Sequence, residues 1–135
     1  MYQGSCLCGA VKYEIHGELS AAAYCHCGRC RKANGSVFAA NATVREDAFR
    51  LLQGAETLKT YSTSAGVHRV FCGQCGAPVY SKRDSGPGFL RLRLGLLDTP
   101  LAQGQGPQRH IFVGSKAGWY EIHDELPQHD ERAPA

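Results

Sequence analysis

Val11, Tyr13 and Ile15 alternate with Lys12, Glu14 and His16, a period of two that predicts a half-buried strand closed by Gly17. Leu90, Leu92 and Leu94 alternate with Arg91 and Arg93 in the same way, predicting another strand with the two arginines on its wet face. Short apolar runs predict further strands over 22–25, 37–44, 49–52, 58–62, 67–71 and 78–81, with Gly54 and Gly66 as punctuation, and two last ones over 110–113 and 119–122. Only 28–33, rich in Arg, Lys and Ala and stopped by Asn34-Gly35, has the character of a short helix. Sustained helical amphipathicity and internal repeats are both missing, so the expected fold is mainly β. The stretches 82–88 and 103–108 read as loops. Residues 1–126 are expected to form a single domain, and 127–135, polar and containing proline, a flexible tail.

Composition changes this picture little. At 135 residues and 43% hydrophobic, the chain can build one core. Its charge of +3, from 15 basic and 12 acidic residues, comes without a long basic run, which argues against nucleic acid as a partner. No window approaches the ~18 apolar residues of a membrane span, and no apolar stretch follows Met1. A soluble, cytoplasmic protein is the expectation. Trp119 and Tyr120 are expected in a core or interface, His123 and His129 in solvent. The apolar stretch 94–101 suits an interface and a core equally.

Seven cysteines change the picture far more. They form three tight groups, Cys6-Leu7-Cys8, Cys25-His26-Cys27-Gly28-Arg29-Cys30 and Cys72-Gly73-Gln74-Cys75. An odd count, tight spacing and no leader favour metal binding over a disulfide framework. Zinc takes four tetrahedral ligands. Adding the triplet to either pair would give five thiolates, whereas the two pairs together make a complete set. Cys6, Cys8, Cys72 and Cys75 are therefore expected to close one structural zinc, with Gly9 and Gly76 allowing the turns behind each pair.

Cys25, Cys27 and Cys30 would hold a second zinc whose fourth corner is left to water or an incoming ligand, the arrangement that separates catalytic from structural zinc. The start of the short helix and the nearby Arg29, Arg31 and Lys32 favour the thiolate forms and offer charge to an anionic ligand. His26, flanked by two ligands, should point away from the metal, as either a solvated side chain or a proton shuttle. A redox centre, or a shell closed by a histidine, is the alternative for the triplet.

The chain resembles the glutathione-dependent formaldehyde-activating enzymes, or centromere protein V group. The matching residues are Gly4-Ser5-Cys6-Leu7-Cys8-Gly9, Cys25 to Lys32, Phe71 to Gly76, His110-Ile111-Phe112-Val113 and Trp119-Tyr120-Glu121. The resemblance implies an Mss4-like fold of packed, bent antiparallel sheets. It implies a structural zinc on Cys6, Cys8, Cys72 and Cys75, and a catalytic zinc on Cys25, Cys27 and Cys30. The activity it implies is that of an S-(hydroxymethyl)glutathione synthase, a carbon–sulfur lyase, with glutathione as the thiol, Arg29, Arg31 or Lys32 holding its carboxylates, and His26 delivering a proton. The competing expectation is a non-enzymatic, zinc-stabilised binding module with a thiol or protein partner, since the same fold serves non-enzymatic proteins.

Overall fold

The first strand, Tyr2–Ser5 (β1), pairs antiparallel with Lys12–Ile15 (β2), and β2 pairs in turn with Phe49–Gln53 (β5), forming a three-stranded sheet. The remaining strands are Ser20–Cys25 (β3), Ala39–Arg45 (β4), Leu58–Ser62 (β6), Val67–Cys72 (β7), Pro78–Arg83 (β8), Phe89–Arg93 (β9) and His110–Ile111 (β10). They form a seven-stranded sheet in the order β10-β3-β4-β9-β8-β7-β6, antiparallel except for the parallel pair β10 and β3. This is a computed structural model that describes residues 1–133. Pro134 and Ala135, the end of the expected tail, lie outside the described residues.

The two sheets close on one another through the side chains that the alternation pointed inward. Tyr13 and Ile15 of β2 are buried with Val11, Val44, Val79 and Leu92, while Lys12 is exposed. Each such side chain contributes about 1.5–3 kcal/mol on burial. Phe49 joins the sheets, stacking on Tyr13 at 5.0 Å and meeting the Tyr80 ring edge-on at 5.3 Å. Cys6 and Cys72 belong to this same core, whereas Cys25 and Cys30 form a separate small cluster with Ala39.

The single α-helix among the described residues, Gly28–Asn34 (α1), covers the expected 28–33 and stops at the Asn34-Gly35 signal. The Cys27 sulfur caps its start, accepting from the Cys30 N–H at 3.3 Å, and Gly35 in the left-handed region donates its N–H to the Arg31 carbonyl at 2.8 Å.

Several expectations need correction. β1, which was not among the expected strands, carries no apolar alternation. It is held by pairing with β2, by Tyr2 packed against the core and by hydrogen bonds that link Gln3 and Ser5 to Asp98 and Thr99. Gly4 lies opposite Tyr13, where a side chain would overlap the tyrosine ring. Leu94 leaves β9 for a 3₁₀ turn, Leu94–Leu96, and β10 ends at Ile111 because Phe112 turns left-handed at φ 55°. Residues 119–122 form no strand. The edge of β10 that they would pair with is taken instead by the chain end: His110 N–H donates to the Pro127 carbonyl, and His129 N–H to the His110 carbonyl. Further bonds from Phe112 N–H to Glu131 and Gly114 N–H to Asp130 tie down a segment expected to be flexible. Trp119 is 75% exposed, outside any core, whereas Tyr120 is half-buried.

Candidate functional site

The seven sulfurs fall into the two sets that counting selected. Cys6, Cys8, Cys72 and Cys75 converge from the β1–β2 loop and the β7–β8 knuckle, and Cys25, Cys27 and Cys30 from the end of β3 and the start of α1; within each set the sulfurs lie within 4.8 Å of one another. All seven are unbridged. In the first set Cys8 stands 3.6 Å from Cys6 and 3.8 Å from Cys72. A tetrahedron of sulfurs at the ~2.3 Å bond length of zinc has edges of ~3.8 Å, so the set fits that ion. Gly9 and Gly76 turn left-handed behind the pairs, at φ 80° and 81°. The Val11 N–H donates to the Cys6 sulfur at 3.2 Å, and backbone donation, chiefly from Ala77, brings the Cys75 thiol down to about 6. Against backbone donation from Ala10, desolvation and the three neighbouring sulfurs push Cys8 up to about 11, so the four do not all ionise without a cation.

The triplet makes the same case through competition. Cys27, beside the sulfurs of Cys25 and Cys30, is pulled far below the ordinary thiol range; Cys25, beside the sulfurs of Cys27 and Cys30 and buried, is pushed far above it. Like charges this close cannot all ionise unaided, and a dication removes the conflict. Both sets therefore fit a metal such as zinc by the chemistry of their donors.

The triplet differs from the quartet in what it faces. It opens on a cleft of about 1300 Å³ that runs over one face of the large sheet. Arg29, Arg31 and Lys32 of α1 line this cleft, as do Arg69, Lys82, Arg83 and Arg91 from β7, β8 and β9. Arg109 and Arg132 complete nine cations, of the chain's 15, against one lining carboxylate, Glu131. The distribution along the sequence concealed this convergence.

Arg93 is not on a wet face, and Arg91 is half-buried in the wall of the cleft. The leucines of β9 do face the main core, but the opposite face is covered: Arg91 lines the cleft and donates to the Thr43 hydroxyl, and Arg93 is only 4% exposed. Arg93 donates to the Ser81 hydroxyl at 3.3 Å and the Arg91 carbonyl at 3.0 Å, and pairs with no carboxylate among the described residues. Burial pulls it down to about 10, a shift opposed by the Cys30 sulfur, which places this charge beside the triplet.

His26 points away from the cleft, but into protein rather than solvent. It is 0% exposed, and its Nε2 shares a 2.7 Å hydrogen bond with Nδ1 of His110, whose Nε2 meets Asp124 at 2.9 Å. Phe38 and Tyr120 pack around the imidazole. Burial, with the charges of His110 and Lys116, pushes His26 down to about 4. The relay ties the metal-binding turn to β10 and the C-terminal segment. His110 entered the sequence reading only among the residues shared with the family, and nothing in the sequence joined it or Asp124 to His26, because 84 residues separate His26 from His110.

The class these features define is a mainly β protein with two cysteine clusters fit to hold a metal, one of four sulfurs anchored in the core by Cys6 and Cys72 and one of three sulfurs open to a cleft. Residues 1–115 match the model of the family described as glutathione-dependent formaldehyde-activating enzyme, and the chain belongs to that family. It is 30% identical over 79 residues to a Schizosaccharomyces pombe protein named an uncharacterized lyase, a match over 58% of this chain and 56% of that one, so the aligned region spans about half of the relative's length. A crystal structure of a Rhodobacter sphaeroides protein superposes with a TM-score of 0.63 at 30% identity, covering 76% of this chain and 93% of the other. Among the described residues no helix is long and apolar enough to cross a membrane.

Proposed function

We propose that the chain is a carbon–sulfur lyase-type enzyme that catalyses the reversible addition of a thiol, glutathione in the reading its family supports, to formaldehyde at the Cys25–Cys27–Cys30 centre. The observation that carries this is the asymmetry of the two sulfur sets: a complete set of four, anchored in the core by Cys6 and Cys72, against a set of three at the mouth of a cationic cleft. Zinc held by Cys25, Cys27 and Cys30 would supply a Lewis-acidic fourth position that favours the thiolate form of an incoming thiol.

The protein's own residues then bind and orient. Arg29, Arg31 and Lys32 lie on the helix that carries Cys30, so a peptide whose sulfur approaches the centre presents its carboxylates to them. The thiol sulfur forms a bond to the aldehyde carbon, the carbonyl π pair moves to oxygen, and that oxygen takes a proton to give the hemithioacetal; the reverse step returns both. The proton comes from water in the cleft, because His26 is sealed behind the metal-binding turn and does not line it. His26 acts by holding that turn in place.

The test is the exchange rate between formaldehyde and glutathione measured by NMR. Protein loaded with zinc should accelerate exchange, and Cys27→Ser should abolish the acceleration while leaving the far-ultraviolet spectrum intact. A wild-type protein with two zinc ions and no acceleration would refute the enzymatic reading in favour of a binding module.

A further inference from the structure

The cleft holds more positive charge, spread farther, than a small tripeptide thiol can use. Glutathione offers two carboxylates and carries an ammonium of its own, and its thiol sits on the middle residue, so no carboxylate lies more than ~10 Å from the sulfur. Arg29, Arg31 and Lys32 suffice for these groups. Arg69 and Arg83 stand elsewhere: β7 lies four strands from β3, which carries Cys25, or roughly 19 Å across the sheet at ~4.8 Å per strand.

Across those strands runs a continuous row of hydroxyl and guanidinium groups. Thr43 pairs with Arg91, Arg91 with Ser81, and Ser81 with Arg69, in register on β4, β9, β8 and β7. All four line the cleft. The Ser81 oxygen accepts from Arg93, which leaves its own proton free to donate. Nη1 of Arg69 is buried without a hydrogen-bond partner, and neither Arg69 nor Arg83 has a carboxylate within 4.0 Å among the described residues. Buried donors of this kind are costly unless a ligand satisfies them. Forked donors beside hydroxyls match the geometry of phosphate oxygens.

We infer that the row Arg91–Ser81–Arg69, with Arg83 at its rim, is a phosphate subsite, and that the cleft takes a phosphorylated thiol whose long neutral arm carries its sulfur to the Cys25–Cys27–Cys30 centre. The inference rests on the thiol reading of that centre for its sulfur end only. Coenzyme A has this form, and pantetheine is the same arm without the phosphates.

Calorimetry on the zinc-loaded protein with coenzyme A, pantetheine and adenosine 3′,5′-bisphosphate tests it. Coenzyme A should bind at least tenfold more tightly than pantetheine, with an advantage that shrinks as salt rises. Arg69→Gln, and separately the exposed Arg83→Gln, should each cut that ratio several-fold while two zinc ions per chain are retained. The bisphosphate has no sulfur, so it reads the subsite alone: if it binds and no thiol exchanges with formaldehyde, the thiol reading fails and the subsite stands. Equal binding of coenzyme A and pantetheine, or an unchanged ratio in Arg83→Gln, overturns the subsite even if glutathione exchange is catalysed. A single-stranded oligonucleotide that binds more tightly than coenzyme A also overturns it, making the cleft a nucleic-acid groove.

Discussion

Substituting one cysteine in each sulfur set should produce opposite outcomes. Cys72 is fully buried in the main core and belongs to the quartet that ties the β1–β2 loop to the β7–β8 knuckle, with Cys8 and Cys72 separated by 64 positions. Closing a loop of that length in the unfolded chain costs about 4 kcal/mol on the entropy estimate used for cross-links. A structural zinc contributes about 10–16 kcal/mol in apparent terms, against a total stability of about 5–15 kcal/mol for a domain. Cys72→Ser should therefore leave little folded protein. Cys27 sits in the small satellite cluster, and its remaining structural duty is to cap α1. Serine is a good cap, so Cys27→Ser should cost no more than about 1 kcal/mol, or roughly 4 °C in melting temperature for a chain of this size. Metal analysis with thermal circular dichroism decides the matter: Cys27→Ser should be folded with one zinc, and Cys72→Ser insoluble or unfolded. A Cys72→Ser protein that melts within a few degrees of wild type would refute the reasoning, as would a Cys27→Ser protein that does not fold.

Three further predictions test the surroundings. The Tyr13 hydroxyl is buried with no partner, so Tyr13→Phe should raise stability by about 1 kcal/mol; a lower melting temperature would show that the hydroxyl is satisfied. His110→Ala removes a buried ring and leaves Nε2 of His26 without its partner, at a cost of roughly 3–5 kcal/mol in urea unfolding, with Asp124→Ala milder because its side chain is 44% exposed. A loss under 1 kcal/mol in His110→Ala would mean the relay holds nothing in place. Gly4→Ala drives a methyl into the Tyr13 ring and should cost about 1–3 kcal/mol, read as a lower denaturation midpoint; an unchanged midpoint would place β1 in another register.

The amino-acid sequence alone determined whatever local chemistry could carry. The alternation at Tyr13 and Ile15 named the buried face of β2 and Asn34-Gly35 marked the end of the helix, because side-chain period and turn chemistry act over a few residues, while the four-and-three division of the cysteines followed from ligand count, which needs no distance. Tertiary structure decided the rest. β1 depends on partners distant in sequence, β2 beside it and Asp98 and Thr99 at its other edge, and β10 takes residues 127–129 rather than 119–122 as its neighbour. His26 is buried by His110, Phe38 and Tyr120, none of them near it in sequence except Phe38. Arg91 and Arg93 obeyed the strand period, yet the period says only that two faces differ, not that the polar one meets water. That face was covered by elements from both ends of the chain, and their approach turned scattered surface cations into one cleft over an open metal centre.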